Sequence, residues 1–276
     1  MDSAVILAFA VTLAAGLATG IGSTIAFFAK TTNKSFFALS MGFSAGVMIY
    51  LSFAEILPKA TQYLSEYVTA NEAAGLAAGA LIAGLVLMAI IDALVPSGAN
   101  PHENTDVELL GNTDTPLPTV DEVQNKALLR MGVFVALAIA IHNFPEGLAT
   151  FLLVLDDPEI GIALAIAVAM HNIPEGIAVS VPVYYATKSR LKAFRLSFLS
   201  GLAEPAGAVI GYLILAQFLN HFVLGIIFAM VAGVMIFLAI DTLLPTARNS
   251  ARGHLTVYGV IAGMAVIAAS LVLLRL

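Results

Sequence analysis

Eight runs of about 20 or more mostly apolar residues pass through this chain, and they leave few folds open to it. They cover residues 4–29, 36–58, 74–95, 127–154, 159–185, 193–218, 221–245 and 255–274. Each is long enough to cross a bilayer as a helix, which satisfies its own backbone hydrogen bonds in lipid. Of the 276 residues, 60% are hydrophobic and 11% charged, whereas soluble domains are about a quarter charged. So much apolar surface does not fit inside one water-soluble core. The fold class expected is therefore all-α and integral to the membrane, a single transmembrane domain spanning 1–276. Asp2 is the one charged residue before the first run, with no basic segment, so no cleaved signal peptide is expected. The net charge of −6 says little about partners, because most of the chain meets lipid. Nothing points to nucleic acid.

The connections are short except for 96–126, PSGANPHENTDVELLGNTDTPLPTVDEVQNK, whose proline- and acid-bearing composition reads as a flexible, solvated loop. With eight spans, alternate connections fall on opposite faces. One face collects Lys30, Lys34, Lys126, Arg130, Lys188, Arg190, Lys192, Arg195, Arg248 and Arg252, and the other has Lys59 and Arg275. Basic residues stay on the cytoplasmic side. The sequence thus predicts a plasma-membrane protein with loop 96–126 in the cytoplasm and both termini outside. The outer face then carries Asp2, Glu66, Glu72, Asp156, Asp157 and Glu159. Such a face is either a weakly acidic mouth that concentrates cations or an ordinary set of solvated helix ends.

Two internal repeats accompany the spans. Residues 45–60, AGVMIYLSFAEILPKA, align without gaps on 232–247, AGVMIFLAIDTLLPTA, with nine of sixteen positions identical. Residues 136–150, ALAIAIHNFPEGLAT, align on 165–179, AIAVAMHNIPEGIAV, with nine of fifteen identical. A weaker echo pairs Gly16-Leu17-Ala18 with Gly201-Leu202-Ala203. The paired segments lie in spans 2 and 7, 4 and 5, and 1 and 6, which cross the membrane in opposite senses. Together they predict a 3+2+3 inverted repeat, a build that secondary transporters use around a midplane site. GxxxG spacings such as Gly16/Gly20 and Gly42/Gly46 indicate close helix packing and no particular function.

The chemistry is concentrated in the second repeat. Span 4 holds His142-Asn143-Phe144-Pro145-Glu146-Gly147, and span 5 holds His171-Asn172-Ile173-Pro174-Glu175-Gly176. Each motif sits deep in an apolar run, where an ionisable side chain costs at least about 2.5–3.5 kcal/mol. Mutual pairing or a bound cation must offset that cost. His and Glu four residues apart share one helix face, about a turn apart. Pro145 and Pro174 cannot donate to the carbonyls of Ile141 and Met170, so each motif is expected to kink and to free a carbonyl. Two antiparallel copies facing each other offer imidazole, amide, carboxylate and carbonyl ligands for one or two metal ions. In span 6, Glu204 precedes Pro205 and is proposed as a ligand from a third helix, the alternative being a polar clasp between helices.

This ligand set favours zinc, iron, manganese, cobalt or nickel over magnesium or calcium, which prefer all-oxygen shells. With no cysteine in the chain, disulfides and thiolate sites are excluded. Glu55, Asp92 and Asp241 stand three or four residues before Pro58, Pro96 and Pro245, where structural anchoring or interfacial exposure is expected. His221 and His254 lie at loop edges and are read as incidental. In the long loop only His102 offers a nitrogen ligand.

At these residues the chain resembles the ZIP (Zrt/Irt-like protein) family of metal transporters. The paired HNFPEG and HNIPEG look most like its bacterial zinc-uptake branch. The resemblance covers the whole chain, including the eight spans and the long loop after the third. It implies a binuclear site, with a first metal held by His142, Glu146, His171 and Glu175. It implies a second held by Asn143, Asn172, Glu175 and Glu204, with Glu146 and Glu175 as bridges. It implies transport of Zn2+, and also of Fe2+, Mn2+, Co2+ or Cd2+, toward the cytoplasm by alternating access. No organic cofactor and no catalytic residue is implied. The partners expected are divalent metal ions and the lipid bilayer, with a homodimer left open. Many relatives carry a His-rich loop between spans 3 and 4, whereas residues 96–126 hold one His among several acids.

Two other readings stay in view. A membrane metalloenzyme such as an intramembrane hydrolase would place a general-base Glu next to the first His, as in H-E-x-x-H. Here Asn fills that position. A non-transporting metal sensor would use the long loop to signal, but it leaves the inverted repeats without a purpose.

Overall fold

Proline marks where these helices change pitch. Pro58 cannot donate to the carbonyl of Ala54, nor Pro245 to that of Asp241. In the computed structural model the residues just before are wound as π turns, Ser52–Ile56 and Ala239–Leu243. The next amides reach five residues back, Leu57 N–H to the Ser52 carbonyl and Leu244 N–H to that of Ala239. The wider turn absorbs the missing donor. The two π turns occupy matching positions in the aligned segments 45–60 and 232–247.

The structure describes residues 3–28, 34–94, 120–215, 217–218, 220–250 and 253–274. Every regular element among them is helical. These are α1 (Ser3–Phe28), α2 (Lys34–Leu51), α3 (Leu57–Ser65), α4 (Ala70–Leu94), α5 (Val120–Asp156) and α6 (Pro158–Thr187), then α7 (Arg190–Gly201), α8 (Ala203–Leu215), α9 (His221–Leu238), α10 (Leu244–Ser250) and α11 (Leu255–Leu274). Joined across their short breaks, α2 with α3, α7 with α8 and α9 with α10, they give eight helices long and apolar enough to cross a membrane.

Capping chemistry moves some ends away from where hydropathy puts them. The second run continues as helix to Ser65 rather than stopping at 58. The third begins at Ala70 rather than 74, because Thr69 and Glu72 form a capping box. The Thr69 amide donates to Glu72 Oε2 at 3.0 Å, and the Glu72 amide to Thr69 Oγ1 at 3.5 Å. α5 starts at Val120, so residues 120–126, expected in the long loop, are helical. The rest of that loop, 96–119, lies outside the described residues, as do Lys30, Arg252 and Arg275 of the charge count.

The helices associate through small residues. α1 packs along α6, and α8 along α5, while α5 and α6 lie side by side. α2 pairs with α11, and α4 with α9. A Cβ on Gly22 of α1 would overlap the carbonyl oxygen of Ile173, and one on Gly207 of α8 would overlap that of Phe144. Only glycine lets the backbones approach so closely. Pro205 removes the donor for the Gly201 carbonyl, α7 ends there, and that carbonyl turns against α1 at Gly16. α4 and α11 sit at the periphery and present Ile82, Ile90, Val272 and Leu273 outward, as helices facing lipid do. The centre is left to α5 and α6.

Candidate metal centre

All seven polar residues singled out in the sequence are buried: His142, Asn143 and Glu146 on α5, His171, Asn172 and Glu175 on α6, and Glu204 on α8. Both α5 and α6 run as helix through their motif prolines. The two His–Glu faces meet crosswise. His142 Nε2 lies 3.2 Å from Glu175 Oε1, and His171 Nε2 lies 3.2 Å from Glu146 Oε1. His142 Nδ1 is 3.1 Å from the Ala138 carbonyl, which can only accept, so Nε2 is the nitrogen presented to Glu175. Ser44 of α2 donates to the His171 carbonyl at 3.4 Å and holds the start of the second motif.

The asparagines tie the motifs to the flanking helices. Asn172 Nδ2 donates to the Ala15 carbonyl at 2.9 Å and to Glu204 Oε1 at 2.5 Å. Asn143 Nδ2 donates to the Ser200 carbonyl at 3.4 Å. Ala15 and Ser200 stand in the register of the echo that aligns Gly16 with Gly201. Gly176 abuts the Thr19 carbonyl and Gly147 that of Glu204, again in the same register. Thr19 is the residue that sequence reasoning passed over. It is fully buried, its hydroxyl finds no partner among the described residues, and it occupies on α1 the position that Glu204 holds on α8. Extending the short echo by one residue, which the sequence reading did not do, aligns Thr19 with Glu204.

Asn143 Oδ1, Asn172 Oδ1 and Glu204 Oε2 are buried acceptors without a donor among the described residues. Buried oxygens left so are where a cation or an ordered water belongs. Among the described residues, no three His, Asp or Glu side chains converge at metal-holding distances, and the imidazoles and carboxylates pair two by two instead. With neutral imidazoles, the carboxylates of Glu146 and Glu175 carry two negative charges for one divalent cation to neutralise. The donor set thus fits a borderline transition metal rather than magnesium or calcium.

Elsewhere, Glu55 lies in the first π turn and lines a cavity of about 460 Å³ with Lys59, Gln62 and Glu159. Asp92 is partly buried beside Thr242. His221 is not incidental, since its ring nitrogens face Glu66 and Asp156.

Membrane-length helices that enclose imidazoles, carboxylates and amides from three of their number define an integral membrane protein with a buried polar core. Residues 97–271 match the family model described as ZIP Zinc transporter. The chain belongs to the ZIP family. It is 56% identical over 274 residues to the zinc transporter ZupT of Oceanobacillus iheyensis, covering 99% of this chain and 100% of that one. It is 53% identical to the zinc transporter ZupT of Lysinibacillus sphaericus, over 99% of this chain and 100% of the relative. The zinc transporter ZupT of Nitratidesulfovibrio vulgaris is also 53% identical, over 99% and 98% of the two chains.

Proposed function

We propose that this protein carries divalent transition-metal ions, zinc first among them, through the plasma membrane into the cytoplasm by alternating access around the buried centre. The crosswise pairing of His142 with Glu175 and of His171 with Glu146 carries the reading. It gathers two imidazoles and two carboxylates where lipid-embedded helices ordinarily tolerate none. The zinc-transporter names of full-length relatives at 56% and 53% identity support zinc as the substrate. The same ligands suit iron, manganese, cobalt and cadmium. The first ion is taken by His142, Glu146, His171 and Glu175, and the second by Asn143, Asn172, Glu175 and Glu204, with Glu146 and Glu175 bridging. ZIP proteins are transporters rather than enzymes, so the metalloenzyme alternative is set aside.

The mechanism takes spans 1–3 as related to spans 6–8, and span 4 to span 5, in an inverted repeat. The matched π turns and the matched glycine contacts of α1 with α6 and of α8 with α5 support that relation. Movement of some spans against the others exposes the centre to each face in turn. An inside-negative potential of about 100 mV favours inward movement of a dication by about 4.6 kcal/mol. The test is zinc uptake into liposomes loaded with a zinc-sensitive dye, with the potential set by a potassium gradient. Uptake that accelerates as the interior is made negative supports the reading. Tight zinc binding with no uptake at any potential would sink it.

A further inference from the structure

A second polar cluster sits at one end of the bundle, on the face that the basic-residue count puts outside. His221 opens α9. Its Nδ1 lies 2.6 Å from Glu66 Oε2 in the α3–α4 turn, and its Nε2 lies 3.0 Å from Asp156 Oδ1 at the end of α5. The imidazole stacks on Tyr63 of α3, with centroids 4.6 Å apart and planes at 20°. The Tyr63 hydroxyl donates to Asp156, and Lys59 Nζ lies 3.4 Å from Asp157 Oδ2. Lys59 also stands over the Tyr63 ring, 5.0 Å from its centroid.

The membership of this cluster divides along the packing of the fold. Lys59, Tyr63, Glu66 and His221 belong to α3, its following turn and α9, which pack on one another and on α4. Asp156 and Asp157 form the turn between α5 and α6, the two helices that carry both metal motifs. Asp157 alone separates those helices and caps α6 by accepting from the Ile160 amide at 3.2 Å. The ends of α5 and α6 are thus held together at this turn, and whatever grips the turn grips both helices that carry the motifs. The grip is made of half-exposed groups, with side-chain exposures of 37% for His221, 47% for Glu66 and 26% for Asp156. Ion pairs this wet are weak and readily broken. Both imidazole nitrogens already face carboxylates, which is the arrangement of a bridge between two elements.

We propose that the Lys59–Tyr63–Glu66–His221 group is a latch on the α5–α6 turn that closes this face of the protein and must open in each transport cycle. The proposal rests on the alternating-access reading. The chain has no cysteine, so an introduced pair is unique. Glu66→Cys with Asp156→Cys is reconstituted in liposomes, bridged by a short bis-methanethiosulfonate reagent and later reduced, with the reductant removed before zinc is added. Zinc uptake is expected to fall by about tenfold or more when bridged, and to recover on reduction, as for a locked conformational gate. A control bridge between Thr69→Cys and Glu72→Cys, within the start of α4, is expected to leave uptake unchanged. Asp156→Cys with His221→Cys serves if the first pair does not insert. Full uptake by a protein shown by mass to be completely bridged would overturn the latch while leaving transport standing. Absence of uptake by the unmodified protein would bring down transport and latch together.

Discussion

His142 Nε2 stands 3.2 Å from Glu175 Oε1 on the neighbouring helix, and His171 Nε2 stands the same 3.2 Å from Glu146 Oε1 in return. The two motifs are thus interleaved, and neither helix holds a complete site. Removing either partner weakens the whole centre. His142→Ala and Glu175→Ala are each expected to lower zinc affinity by at least about tenfold, about 1.4 kcal/mol, in a titration of purified protein. Equal affinity in either variant would place the binding site elsewhere.

Glu204 plays a separable part. It accepts from Asn172 through Oε1, while Oε2 has no donor among the described residues. Glu204→Gln keeps the shape and removes the charge. Bound zinc, counted by elemental analysis after dialysis, is expected to fall from two ions to one per chain, with the tighter ion retained. Loss of both ions would show that Glu204 supports the first position as well.

The crosswise pairs also let the empty protein stay folded. Glu146 and Glu175 each have an imidazole beside them and Glu204 accepts from Asn172, so chelation leaves none of the three without a protein partner. Metal-free protein is expected to keep its helical circular dichroism. Zinc at about 100 times Kd should then stabilise it by about 2.7 kcal/mol, read as a raised thermal midpoint in detergent. Collapse of the helical signal on chelation would mean that metal organises the bundle.

Close helix approach is tested by glycines that differ only in surroundings. Gly22→Ala and Gly207→Ala press a methyl into the carbonyls of Ile173 and Phe144. Each is expected to destabilise by about 1–3 kcal/mol, as overpacked cores do. Gly75→Ala and Gly79→Ala, with nothing within 4 Å, are expected to be neutral or slightly stabilising. Thermal unfolding of the four proteins in one detergent decides the matter.

Much of this was legible in the chain itself. Apolar runs longer than a soluble helix needs identify the spans, and charge at a fixed His–Glu spacing within them marks the two motifs whose side chains meet crosswise. The ends were less legible, because a capping box such as Thr69–Glu72 extends a helix without adding hydrophobicity. Pro58 and Pro245 end their apolar runs in the sequence, but the helix continues past both and widens into a π turn just before each, which hydropathy does not register. Thr19 was hidden because its likeness to Glu204 lies in position rather than in residue type. His221 was misread because its partners are 155 and 65 residues away, and no local pattern ties them together.

The central claim is that zinc passes through the α5–α6 centre. Its most direct test is initial zinc uptake by liposomes holding wild-type protein, His171→Ala or Glu146→Ala, matched for amount, insertion and monodispersity. The account predicts rapid, saturable uptake by the wild type and a fall of at least about tenfold in both variants. Wild-type rates in either variant would contradict it and send the ion along another path.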